Sequence, residues 1–261
     1  MSVIGHATQP QQEQGASHIT LFTNPQYRNV LLKFWSIAAV FSFAISLYFA
    51  LVYAGTDVTM GNVQRVFYMH VSAFAGAAVA FFVTVVAGIA YLRTRNRKWD
   101  TLGLAGVEVG LMLSVITLVT GSIWARPTWN TWWTWDPRLT SAAIMALTYA
   151  AYMMLRNGIE MPERQRTFSA VYGILAFSTV IFTFMITRMR GDTIHPNVIG
   201  SSPVNAKGTF EMVDNMRVAF SVNMWAWCAF IAPVLIWWRV RLQNVSITAE
   251  KRRADFLNDN N

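Results

Sequence analysis

Six separated stretches of this chain, residues 30–53, 67–92, 101–123, 139–155, 168–187 and 218–238, are long, apolar and almost free of charge. A helix that crosses the hydrocarbon core of a bilayer needs about 20 such residues, more if it tilts, and every run is near that length. No other feature narrows the fold so much: the sequence predicts an all-α polytopic membrane protein with six transmembrane helices. The balance of the chain agrees, since hydrophobic residues make up 54% of it and charged residues only 13%. That is the composition of one unit dissolved in lipid rather than of a soluble domain carrying an anchor.

The segments outside the runs are short. Residues 1–29 read as a flexible N-terminal tail, polar and rich in Gln, without the basic, apolar and small-residue order of a cleaved signal. Residues 30–241 form the six-helix domain, and 242–261 a C-terminal tail. No internal repeat is visible, and the Ser/Thr/Asn/Pro/Gly-rich stretch 193–209 is the longest irregular segment.

Positive charge sets the orientation. Arg28, Lys33, Arg93, Arg95, Arg97, Lys98, Arg156, Arg164, Arg166, Arg239, Arg241, Lys251, Arg252 and Arg253 fall on one side of the predicted membrane, fourteen in all. Arg65, Arg126, Arg138, Arg188, Arg190, Lys207 and Arg217, seven residues, fall on the other. The positive-inside rule places both termini in the cytoplasm and the side with fewer charges outside. The net charge of +8 is largely this topogenic charge, and no basic groove interleaved with aromatics points to nucleic acid. The single cysteine, Cys228, makes neither an internal disulfide nor a covalent haem attachment motif, so it is expected to serve packing.

Chemistry gathers on the outer side. Residues 124–140 hold Trp124, Trp129, Trp132, Trp133 and Trp135 together with Arg126, Asp136 and Arg138. Of four histidines, His6 and His18 lie in the polar tail, where nothing around them suggests a role. His70 stands at the outer end of the second run, and His195 in the outer loop between the fifth and sixth. Two readings are open. Trp, Tyr, Arg and His are ordinary residents of a membrane interface, so the segment reads as an anchoring belt. Equally, indoles form a platform for a flat ligand, two imidazoles from different elements can fill both axial positions of a haem, and Arg65, Arg126 and Arg138 offer forked donors to its propionates. Asp136, just before Pro137, reads as the cap of the fourth helix. Glu108, about two turns into the third run, is an ionisable group at a depth where such groups are functional or paired.

The resemblance that these residues carry is to the haem-handling proteins of cytochrome c maturation that share a tryptophan-rich WWD segment, and among them to the CcmC family. It covers nearly everything from Val30 to Arg241 and is strongest from Gly121-Ser122-Ile123-Trp124 through Trp135-Asp136-Pro137-Arg138-Leu139-Thr140-Ser141. Gln64, Arg65, Tyr68, His70 and Val71 resemble the setting of the family's first haem-ligand histidine, and Thr193-Ile194-His195-Pro196 that of the second. Glu108-Val109-Gly110 resembles its glutamate-containing step. Ser72 stands where Pro is common, Asn130 where Gly is common, and Arg188 to Asp192 are more charged than the aromatic approach of many members.

What the resemblance implies is a haem-binding and haem-transfer protein of the bacterial inner membrane, not an enzyme, or at most a component of a haem lyase. Haem b would be held at the periplasmic face between the axial ligands His70 and His195, with Trp124, Trp129, Trp132, Trp133, Trp135, Arg65, Arg126, Asp136 and Arg138 around it. It would be delivered to the haem chaperone CcmE, with the ABC-type partners CcmA and CcmB and the small membrane protein CcmD in the assembly. A CcmF-type protein has helices for which there is no room here, whereas a CcsA-like synthase component is the nearer alternative. Outside the family stand a b-type cytochrome, which would hold histidine pairs deep in the membrane, and a haem-free transporter, for which no convincing pair of broken helices is present.

Overall fold

The computed structural model describes residues 25–58, 60–196, 198 and 212–259. Helix α1 (Pro25–Tyr48) runs into a π-helical turn (Phe49–Tyr53). It is followed by α2 (Gln64–Thr94), α3 (Arg97–Trp129), α4 (Pro137–Asn157) and α5 (Pro162–Met189). A last rod combines α6 (Asp214–Trp225), a π-helical stretch (Ala226–Ile231) and α7 (Ala232–Asp259). The protein is thus all-helical and polytopic, as the apolar runs predict.

Two boundaries differ from the sequence reading. The first helix begins at Pro25 rather than residue 30, because proline is well placed in a first turn and the polar residues after it are good enough helix formers. The last helix continues to Asp259, so most of the segment read as a C-terminal tail is helical. The remainder of the N-terminal tail with His6 and His18, and most of the irregular stretch 193–209, lie outside the described residues.

Five of these rods are long and apolar enough to cross a membrane: Gln26–Tyr53, Gln64–Thr94, Arg97–Trp129, Pro162–Met189 and Asp214–Leu257. The sixth, α4, has 21 residues, about 31 Å at 1.5 Å per residue, but is less apolar. It traverses the same thickness nonetheless. Arg138 in its first turn donates to the carbonyl of Thr183 near the end of α5. Arg156 in its last turn pairs with Asp100 at the start of α3 through two bonds of 2.7 and 2.8 Å.

Local chemistry sets the turns. Arg95 takes the left-handed conformation that ends α2, and the side chain of Asn96 accepts from the Lys98 N–H to start α3. Asn130, the residue standing where glycine is common, ends α3 at φ 55°, a conformation that Asn tolerates better than most residues. Pro162 opens α5 from its first turn.

Close packing of α2 on α3 organises the core. A Cβ at Gly106 would come within 2.6 Å of the Ala80 carbonyl and 2.5 Å of Thr84 Oγ1, so the small residue is what lets the backbones approach. Around this seam Phe81 stacks on Tyr149 at 3.5 Å between ring centroids, and Val107, Leu113, Met145, Trp227 and Ile236 complete the cluster. A second cluster, near the Trp-rich end, holds Phe67, Tyr68, Trp124, Met216 and Phe220. Glu108 resolves simply: it faces α7, taking bonds of 2.5 and 2.6 Å from the Arg239 guanidinium and one of 2.8 Å from Gln243.

Candidate functional site

At the Trp-rich end, a cavity of about 360 Å³ opens between α2, α3, α4, α5, the loop after α5 and the last rod. It lies within the size range of small-molecule sites, about 300–1,000 Å³. His70 enters it from the second turn of α2 and His195 from the loop; their ring centroids are 6.4 Å apart, with the planes at 43°.

Each imidazole is fixed in one tautomer. His70 Nδ1–H donates to the Thr117 carbonyl at 2.9 Å, and His195 Nδ1–H to the Pro196 carbonyl at 3.0 Å. A carbonyl can only accept, so the proton sits on Nδ1 and the lone pair is left on Nε2, the arrangement found in imidazoles that bind metals. Burial, with the nearby Arg138 charge and His70 adding to it, pushes the His195 imidazole down to about 3, which keeps the ring neutral. The spacing fits a shared metal. An imidazole nitrogen binds at about 2 Å, which places two rings on one ion with centroids about 6 Å apart once the ring radius is included.

Helix α3 seats His70. Thr117 supplies the acceptor, and one turn later Gly121 supplies space: a Cβ there would lie 2.8 Å from His70 Cε1. His195 is seated by its loop, with its ring edge against Trp129 at 6.3 Å and 63°. Trp129 in turn packs at right angles on the buried Trp124, 5.1 Å away.

The sequence-predicted residues divide. His70, His195, Trp124, Trp129, Trp133 and Arg138 line the cavity. Trp132 lies on its outer rim, in a shallow groove beside Leu118, Val119 and Ile123, and Trp135 is 79% exposed against the edge of Trp133. Arg126 is turned away, donating to the carbonyl and side chain of Asn130 at the end of its own helix, and Arg65 is not part of the lining. Asp136 does not reach the cavity either. It caps α4 through the Arg138 N–H at 2.8 Å and binds the His195 loop from behind.

Sequence reasoning missed Arg188, which lines the cavity from the last turn of α5 and lies over the Phe184 ring at 4.5 Å. Arg138 lies over the Phe74 ring at 4.8 Å. Among the described residues of the lining no side chain is acidic, and Arg138 and Arg188 each give one guanidinium N–H to a helix carbonyl, that of Thr183 and that of Phe184. Phe74 had a signal, one turn after His70 on the same helix face, but nothing in the sequence separates it from the other apolar residues of α2. Cys228, expected to serve packing, is on the cavity wall beside Met224.

Fold and site together define a polytopic α-helical membrane protein with a bis-histidine cavity, roofed by tryptophan, at one end of its bundle. The chain belongs to the CcmC family, Heme exporter protein C, whose model matches residues 19–254. It is 32% identical over 152 residues to Heme exporter protein C of Rhodobacter capsulatus, which covers 58% of this chain and 62% of that one. To the Escherichia coli K12 protein of the same name it is 27% identical over 227 residues, 84% of each chain. It is also 32% identical over 123 residues to a putative cytochrome c biosynthesis ccmC-like mitochondrial protein of Arabidopsis thaliana, which covers 47% and 46% of the two chains.

Proposed function

We propose that this chain holds haem b as cargo at the outer face of the bacterial inner membrane and delivers it to the haem chaperone CcmE for the maturation of c-type cytochromes. The observation that carries the reading is the pair of imidazoles in one cavity, 6.4 Å apart, each with Nδ1–H bound to a carbonyl and Nε2 left with its lone pair. The excess of Lys and Arg toward the other end of the bundle supports the outer placement.

Haem supplies an iron with two axial positions and a flat apolar ring with two carboxylates. His70 and His195 suit the axial positions. Phe74, Trp129 and Trp133 offer apolar walls, while Arg138 and Arg188, each with one N–H on a helix carbonyl, are the cations of the lining that suit the propionates. These residues bind and orient, and the role we infer for them is the transfer of haem. Release follows when an acceptor replaces one imidazole. Trp132 and Trp135, both exposed, are the indoles that this reading offers to the acceptor. CcmA, CcmB and CcmD are the partners that this reading implies.

Absorption spectra of the detergent-purified protein, oxidised and reduced, test it beside His70→Ala and His195→Ala. A low-spin haem spectrum in the wild type, diminished in each variant, is the expected result. Unchanged spectra and haem content in both variants would remove the axial assignment.

A further inference from the structure

His70 and His195 are positioned by different means. His70 is carried by α2, where helix periodicity and the Thr117 and Gly121 seat leave its ring little freedom. His195 lies outside any helix, so something else must hold it.

We propose that Asp136 is the positioning residue of the second haem ligand, clamping the His195 loop to the start of α4. The side chain is buried, 8% exposed, between the exposed Trp135 and the proline that opens the helix. A helix cap uses one acceptor oxygen. Asp136 does more: Oδ1 accepts both the Arg138 N–H and the Thr193 hydroxyl, each at 2.8 Å, while Oδ2 accepts the Ile194 N–H at 2.8 Å. The Thr193 oxygen then accepts the His195 N–H at 3.1 Å, which carries the constraint into the ligand's own backbone. Bonds to a charged acceptor are about twice as strong as neutral ones, and three converge here.

The clamp makes one body of pieces remote in sequence. Arg138, whose own N–H is held by Asp136, lines the cavity, and Trp129 packs on the His195 ring. The aspartate of the Trp-rich segment thereby acts on the iron site through His195 without entering the cavity.

The proposal rests on His195 being a haem ligand, and its test separates the two. Thr193→Val removes the hydroxyl that joins Asp136 to the His195 backbone while leaving the α4 cap intact. Asp136→Asn keeps one oxygen for the cap but presents an NH2 group where the Ile194 N–H needs an acceptor. Both are purified at full length beside wild type and His195→Ala, with thermal unfolding followed by circular dichroism. Loss of an outer partner of a metal ligand weakens binding by about ten- to a hundredfold. In both clamp variants the expected result is a loss of haem retention of that size, replacement of low-spin by high-spin bands, and recovery of the low-spin spectrum on adding imidazole, with Thr193→Val still folded and unfolding cooperatively. Wild-type haem content and spectrum in both variants would overturn the clamp while leaving the ligand reading intact, as would losses that imidazole does not rescue when it does rescue His195→Ala. A wild-type spectrum in His195→Ala would overturn the ligand reading and the clamp with it.

Discussion

The residues that reach the cavity are separated from those that merely share its segment by where each helix turns them. Arg138 and Arg188 enter it; Arg126, in the same Trp-rich stretch, is spent on the end of its own helix at Asn130. Hydrogen bonds to charged groups contribute about 1.5–3 kcal/mol, roughly a tenfold to hundredfold change in affinity. Arg138→Ala and Arg188→Ala are therefore each expected to lower the haem-to-protein ratio after purification, read by pyridine haemochrome assay, and Arg126→Ala to leave it near wild type. Equal losses in all three would show that charge at this face acts in bulk and not through contact. Here the sequence was legible in type but not in detail. It presents seven cations on the side read as outer, and among the described residues only the helix phase of α4 and α5 selects the two that line the site.

At the scale of elements, the two histidines depend on α3 in unequal ways. Gly121 is the point at which α3 yields to the His70 ring, so Gly121→Ala places a methyl group within 2.8 Å of Cε1. Either the ring rotates away from the Thr117 carbonyl or the helices separate, and the expected result is weaker haem retention with high-spin character, read by absorption and magnetic circular dichroism. A wild-type spectrum would show that α2 shifts without cost. Positions of the helices were legible because about 20 apolar residues in a row have few other uses. Their ends were less so, since the polar residues that start α1 at Pro25 and extend α7 to Asp259 carry no hydropathy signal. The π-helical turns at Phe49–Tyr53 and Ala226–Ile231 leave no signature in composition, because one extra residue in a turn changes hydrogen bonding and not residue type. The Asp136 clamp was half legible: Asp before Pro announces a cap, whereas a partner 58 residues away lies beyond any local pattern.

Across the whole molecule, polar chemistry is divided between two ends of an apolar bundle. Opposite the histidine cavity, Asp100 and Arg156 pair with side chains each about 10% exposed and tie α3 to α4, with Arg166 at 3.9 Å. Removing one partner of a buried ion pair costs about 3–5 kcal/mol because the other charge is stranded. Asp100→Ala is accordingly expected to lower the unfolding temperature in detergent while sparing the haem spectrum of the protein that remains folded. A changed spectrum at unchanged stability would mean that the two ends are coupled. Glu108, legible only as an ion in need of company, performs the same tying for α3 and α7. Cys228, finally, is the chain's one thiol and stands on the wall of the cavity. That makes it a built-in reporter: the rate at which a small alkylating reagent labels the unmodified protein would read out whether the cavity is filled or empty, with no engineered probe.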